Sequence, residues 1–297
     1  MKYLYFIILL FNIPGLKAQT VTNNFRIVDA DTKRPIPYAS VSLPRASLAM
    51  NTEADGLLSI PGDLSKMNDV LVITAQNYTP SVSPLNKLSG MDTIQLKKYP
   101  YRPVNIPVSS TGKDSVLNKF TWQDVTYFAG VHSQHARFEY LQIAQQFDSP
   151  APGAKLSQIF FRRFATWGTY TERTRFRLRF YDIDPVYGTP GKDLCHEIIE
   201  ETNKDDPRLT VNLQKYNIII PGKKFFVAIE WLRTFENAGY APNRAERNLV
   251  YKPTIGILPY KTDKLNIWVL NYAHQWKPFT YFSPYYTDLA LSATVKW

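Results

Sequence analysis

Residues 29–78 read DADTKRPIPYASVSLPRASLAMNTEADGLLSIPGDLSKMNDVLVITAQNY, and their turn chemistry marks out a small β-sandwich strand by strand. Asp29 to Pro35 sets Asp, Thr and Pro between apolar runs, the composition of a loop. Pro35 and Pro37 fix φ and remove two backbone donors, so strand pairing resumes only after them. Ala39, Val41 and Leu43 then alternate with Ser40 and Ser42, the period of a half-buried strand. Asp55-Gly56 is a turn signal, because Gly tolerates positive φ. Leu58 and Ile60 follow as a short strand. Val70 to Ala75 is continuous and β-branched, as a buried strand is. Asn77 can adopt the left-handed conformation, Tyr78 can cap the core, and Ile94 and Leu96 suggest a last strand.

Asp29, Thr32, Pro35, Ile36, Pro37, Ala39, Val41, Thr52, Asp55, Gly56 and Tyr78 together resemble the pattern of the carboxypeptidase-regulatory-like domain, a transthyretin-like β-sandwich. Phe25 stands where that pattern opens its first strand with Gly, and Asn77 where it places Gly before the Tyr. The resemblance covers about residues 22–97. It implies an accessory module without catalytic residues, of the kind that precedes outer-membrane receptors and surface proteins in Bacteroidetes-type bacteria.

Upstream, Lys2 precedes the apolar run Tyr3–Ile13. Pro14-Gly15 follows, and Ala18 precedes a cut expected at Gln19. Residues 1–18 therefore read as a secretory signal peptide, too short for a stable bilayer anchor once cleaved. Export to the periplasm, the outer-membrane surface or the extracellular space follows as the expectation. Cys195 is the sole cysteine, so no intrachain disulfide is available, and it reads as a small buried hydrophobe.

Without the first 18 residues the chain carries 33 basic against 25 acidic groups. Residues 19–98 hold 8 and 7 of these, so the basic excess belongs to the second half. Pro100, Pro103 and Pro107 mark residues 99–118 as a semi-rigid connector that would hold two domains, 19–98 and 119–297, apart. Residues 119–297 read as short strands separated by Gly/Pro turns: 139–147, 156–164, 173–182, 216–221, 225–232, 255–258, 267–270 and 289–297. Residues 193–201 look helical, with a strand as the alternative. The expected fold is all-β: a transthyretin-like sandwich, then a jelly-roll-like sandwich. Arg177 to Gly191 and Phe225 to Trp231 resemble the jelly-roll domains of secreted Bacteroidetes proteins, which bind glycans or proteins where they are characterised.

The candidate binding residues are Arg173, Arg175, Arg177 and Arg179, which share one face of a strand while Phe176, Leu178 and Phe180 share the other. Guanidinium groups roughly 7 Å apart could grip the carboxylates or phosphates of an anionic glycan. The same row could equally be a solvated face paired with acids such as Glu230. Trp167 and Trp276, in turn-like contexts, are candidate stacking platforms for sugars. His132 and His135 would point to opposite faces of a strand, which disfavours a metal site. Asp182 and Asp184 could hold calcium or simply form a turn.

Serine-hydrolase and zinc-protease motifs are absent, as are phosphate-binding loops, and no cofactor is indicated. Export argues against nucleic acid despite a pI near 9.4. The expected function is non-catalytic binding or structural support in the cell envelope, with an anionic glycan or an envelope protein as partner. A secreted peptidase or glycosidase with carboxylates in a cleft, and a scaffold subunit of an envelope complex, are the alternatives.

Overall fold

The computed structural model describes residues 22–297 apart from 65–66, 89–90, 101–105, 110, 133–138, 165–172, 205, 241–248, 260–263 and 282–284. The chain is all-β, and no α-helix occurs among the described residues. Among the described residues no helix is long and apolar enough to cross a membrane. The signal-peptide stretch, Trp167 and His135 lie outside the described residues.

The N-terminal unit contains β1 (Thr22–Asp29), β2 (Ser40–Leu43), β3 (Leu48–Asn51), β4 (Leu57–Pro61), β5 (Val70–Thr74), β6 (Ser81–Pro84) and β7 (Thr93–Leu96). One sheet runs β4–β1–β7, with β1 and β7 parallel, and the other β3–β2–β5–β6. Phe25, Ile27, Val41, Leu43, Leu58, Ile60, Leu71 and Ile73 fill the space between them.

The motif residues each perform an identifiable task. Asp29 is buried, and its Oδ1 accepts the backbone N–H groups of Asp31 (2.9 Å) and Thr32 (2.8 Å), closing the loop that the Asp/Thr/Pro composition indicates. Tyr78 donates its hydroxyl to Asp29 Oδ2 at 2.9 Å. Buried Thr52 accepts from Ala39 N–H (2.8 Å) and donates to Ile36 C=O (3.0 Å), tying the two loops together. Gly56 has φ +76°, and a Cβ there would stand 2.7 Å from the Ile27 carbonyl oxygen. Asn77 does adopt the left-handed conformation, at φ +73°.

The C-terminal unit contains β8 (Asp114–Leu117), β9 (Tyr127–His132), β10 (Gln142–Asp148), β11 (Ala154–Phe164), β12 (Arg173–Ile183), β13 (Pro190–Asp193), β14 (Ile199–Lys204) and β15 (Arg208–Asn212). It continues with β16 (Ile218–Ile220), β17 (Lys224–Trp231), β18 (Ala238–Tyr240), β19 (Leu249–Leu258), β20 (Ile267–Leu270), β21 (Trp276–Pro278), β22 (Asp288–Leu289) and β23 (Leu291–Lys296). The front sheet runs β13–β12–β17–β10–β20–β21, with β14 also beside β12. The back sheet runs β18–β19–β11–β23–β8, with β15 and β16 beside β11 and with β9 and β22 beside β19. Phe176, Leu178 and Phe180 of β12 and Phe225, Val227, Ile229 and Trp231 of β17 face Ile159, Phe161, Leu291, Ala293 and Val295 across the core.

Three expectations need correction. Residues 193–201 are not helical: Ile199 begins β14, paired with β12, and its alternation with Glu200 is the strand signal. Tyr127–His132, not anticipated as a strand, pairs with β19. The connector ends before residue 118. β8 lies within 99–118 yet pairs with β23, and Ser109 N–H already donates to Gly153 C=O at 2.9 Å. Gly153 has φ +80°, and a Cβ on it would meet the Pro107 carbonyl oxygen at 2.3 Å.

The two sandwiches are in contact rather than held apart. Ser40 and Ser42 are as buried as Val41 and Leu43, because β2 has a core on one face and the C-terminal unit on the other. Ser42 donates to Tyr272 C=O at 2.8 Å. Gln76 donates to Cys195 C=O (2.8 Å) and Glu197 C=O (3.2 Å), and Asn77 to His196 C=O (2.6 Å). Arg233 N–H donates to Asn51 Oδ1 at 2.7 Å. Asn77 thus supplies both a left-handed backbone and a docking amide, which a Gly at that position lacks.

Candidate functional site

The arginine row is where the two units meet. Phe176, Leu178 and Phe180 point into the core, so β12 aims Arg175, Arg177 and Arg179 outward from the front sheet. Arg175 pairs with Glu200 (2.9 Å) and Glu236 (3.0 Å), and Arg177 with Glu200 (3.3 Å). Arg179 pairs with Asp193 (2.6 Å) and Glu230 (3.1 Å). Tyr38 of the N-terminal unit sits over the row. It accepts on its hydroxyl from Arg175 (3.0 Å), and its backbone carbonyl accepts from Arg177 (3.2 Å), with Pro37 C=O accepting the other Arg177 nitrogen (3.0 Å). Tyr38 holds φ +55°, an uncommon conformation for a large side chain, so this contact is specified at some local cost.

Arg175, Arg177 and Arg179 are therefore neutralised from within by four carboxylates, and Tyr38 accepts hydrogen bonds from two of them. Arg177 is 2% exposed, while Arg173 lies exposed at the start of the strand. Burial works against the Arg179 charge, but Asp193 and Glu230 more than offset it and hold the guanidinium protonated well above its ordinary range. The open gripping surface expected of this row is thus the seat of the first domain.

The other candidates also take structural positions. Trp276 is half-buried and packs edge-on against Tyr181, with ring centroids 5.6 Å apart, rather than standing free as a platform. Asp182 Oδ1 accepts Lys192 N–H at 2.5 Å, and Asp184 Oδ1 accepts Val186 and Tyr187 N–H at 2.8 and 3.0 Å. These are turn-closing bonds between β12 and β13, so the carboxylates act as turn formers. Burial, the largest cause, raises the Asp182 carboxyl above its usual range. Among the described residues no three His, Cys, Asp or Glu side chains cluster as metal ligands.

Cys195 is buried, and burial pushes its thiol up to about 11. It lies in the loop held by Gln76. Alkylation of the native protein at neutral pH is expected to be slower than that of the urea-unfolded chain by at least tenfold, read by mass after iodoacetamide treatment. Equal rates would mean that the loop and its covering domain are not in place.

A second concavity was not foreseen from sequence. At one end of the C-terminal sandwich a cleft of about 430 Å³ is lined by Leu117, Asn118, Gln145, Gln146, Phe147, Asp148, Lys224, Lys264, Leu265, Asn266 and Asp288. Its polar groups are held in place. Asp288 Oδ1 accepts from Gln145 (2.7 Å) and Asn266 (2.8 Å), and its Oδ2 accepts from Thr287 (2.8 Å). Gln145 Oε1 accepts Leu289 N–H at 2.7 Å. Asn118 donates to Leu289 C=O (2.9 Å) and Leu291 C=O (2.8 Å). The lining residues come from β8, β10, β17, β22 and the approach to β20, spacings that leave no motif in the sequence.

No protein-family model and no curated protein matches the chain. Three solved structures give distant likenesses. One contains the cysteine protease and lectin-like domains of Cwp84, a surface layer associated protein of Clostridium difficile. It is 12% identical with a TM-score of 0.38, covering 87% of this chain and 58% of that one. Another is the same clostridial protease after propeptide cleavage, 12% identical with a TM-score of 0.40, covering 93% and 70%. A candidate carbohydrate-binding protein from Bacteroides uniformis gives a TM-score of 0.17 at 12% identity, covering 80% of this chain and 98% of that one. The chain thus spans a little over half of the first of these structures, and none of the three likenesses is close enough to assign it a family or a role.

Proposed function

We propose that the protein is an exported, non-catalytic binding protein of the cell envelope that holds a hydroxyl-rich ligand, a glycan, in the cleft beside Asp288. The observation that carries this reading is the rigid set of amides and a carboxylate around a partly apolar floor of Leu117, Phe147 and Leu265. Sugar hydroxyls need donors and acceptors fixed in space, and the internal bonds fix them here. The Oδ1 atoms of Asn118 and Asn266 keep accepting capacity while their Nδ2 groups anchor the side chains. The volume suits a ligand of one or two sugar rings. The resemblance of residues 22–97 to an accessory sandwich, and the signal-peptide character of residues 1–18, fit a surface or periplasmic setting.

A glycan-array screen with the purified protein, followed by titration of the hits, tests this. Asn266→Ala is expected to weaken binding about tenfold, the loss of one hydrogen bond in a fixed site. Release of shortened glycan during the titration, abolished by Asp288→Asn, would establish a hydrolase instead.

A further inference from the structure

Arg162 and Arg208 lie directly opposite each other on neighbouring strands of the back sheet, β11 and β15. This face is remote from the arginine row, which belongs to the other sheet. Arg162 is 6% exposed, and its Nη1 is fully covered with no hydrogen-bond partner. Its guanidinium carbon lies 3.2 Å from the centroid of the Trp122 ring, and that of Arg208 lies 5.9 Å from the same ring. Trp122 itself remains 52% exposed, above the sheet. Just before it, Phe120 stacks on Phe160 at 5.5 Å and pins the segment down.

Among the described residues no carboxylate forms an ion pair with either guanidinium, in contrast to Arg175, Arg177 and Arg179, and the charge of Asp206 offsets that of Arg208 only in part. Asp206 is near, but its Oδ1 accepts the backbone N–H of Arg208 and its carbonyl accepts from Arg163. Like charges directly opposite on a sheet destabilise it, and a buried guanidinium nitrogen without a hydrogen-bond partner adds to that cost. Burial, and after it the field of Arg208, lower the proton affinity of Arg162. An anion paired with both guanidinium groups would relieve both costs.

We infer that Arg162, Arg208 and Trp122 form a second binding site, specific for an acidic sugar: a uronate whose carboxylate pairs with the two guanidinium groups while its ring lies against the indole. Arg and carboxylate match in planar, bidentate geometry, and an exposed indole offers a flat apolar surface to the faces of a pyranose. The neutral subsite proposed beside Asp288 uses different residues, so the two stand or fall separately.

Isothermal titration with oligogalacturonate, neutral oligogalactose and oligoglutamate tests the inference on the full chain. Oligogalacturonate is expected to bind, with affinity falling as salt rises. Arg208→Ala and Trp122→Ala are each expected to cost tenfold or more, since both side chains are exposed and neither supports the core. Asn266→Ala is expected to leave this binding unchanged and to affect only the cleft. Unchanged thermal midpoints confirm that the variants are folded, and Arg162→Met, which keeps the buried stem, removes the guanidinium alone. No binding of oligogalacturonate, or binding indifferent to Arg208→Ala and Trp122→Ala, overturns the site. Oligoglutamate binding as well as oligogalacturonate overturns its assignment to sugars.

Discussion

Arg179→Ala is expected to destabilise the protein by about 3–5 kcal/mol, the largest effect of any single surface-strand arginine. Arg179 is buried between Asp193 and Glu230, and Glu230 is only 4% exposed. Removing the cation leaves a carboxylate in a dry environment with no counter-charge, and that penalty, rather than the attraction lost, sets the magnitude. Arg26→Ala is the matched control. Its pair with Asp55 spans 3.2 Å but both side chains are half exposed, so a change of at most about 1 kcal/mol is expected. Urea unfolding of the two variants beside the parent checks this. A ligand-gripping row open to water would give the two variants similar, small effects.

Mild acid is expected to loosen the docked first domain. His274, half-buried at the interface, approaches Ser42 Oγ through Nε2 at 3.2 Å. Burial, only partly opposed by Glu230, lowers its imidazolium pKa from 6.5 to about 4. The unfolded chain therefore binds a proton between pH 6.5 and 4 that the folded one refuses. Stability is full above pH 6.5, falls with pH through that window, and levels below it, by up to about 3 kcal/mol in all. His274→Asn suits the left-handed backbone at this position (φ +56°) and is expected to flatten the decline. Asp29 contributes at still lower pH. Backbone hydrogen bonds, foremost from Thr32, outweigh burial and hold its carboxyl far below the usual range, so its stabilisation is full above the ordinary value of 3.8 and is lost progressively as pH falls below it. Thermal midpoints of the parent and His274→Asn between pH 7.5 and 4 check the sign. A parent midpoint that does not fall across this range would contradict it.

The first sandwich is readable from its turns because Asp29, Pro35, Gly56 and Asn77 impose backbone geometry locally. The strands of the second are readable where apolar and polar residues alternate. Docking is not, because alternation on β2 says only that Ser40 and Ser42 leave the core. A short hydroxyl side chain is equally content with water or with a neighbouring carbonyl, such as that of Tyr272. The arginine row is visible, but the groups that neutralise it, Asp193, Glu200, Glu230 and Glu236, lie 14 to 61 residues away in the chain. The doublet Arg162-Arg163 at the end of its strand is visible too, yet nothing in the sequence places Trp122 above it. Sites assembled from single residues on separate strands leave no spacing to read.

The central claim is that the arginine face of β12 fixes the two sandwiches into one body. Nitrogen-15 relaxation of backbone amides in the full chain, compared between residues of β1–β7 and residues of β10–β23, tests it most directly. The account predicts one rotational correlation time shared by both sets, splitting into two in Arg177→Ala. A shorter correlation time for β1–β7 in the parent protein would contradict it.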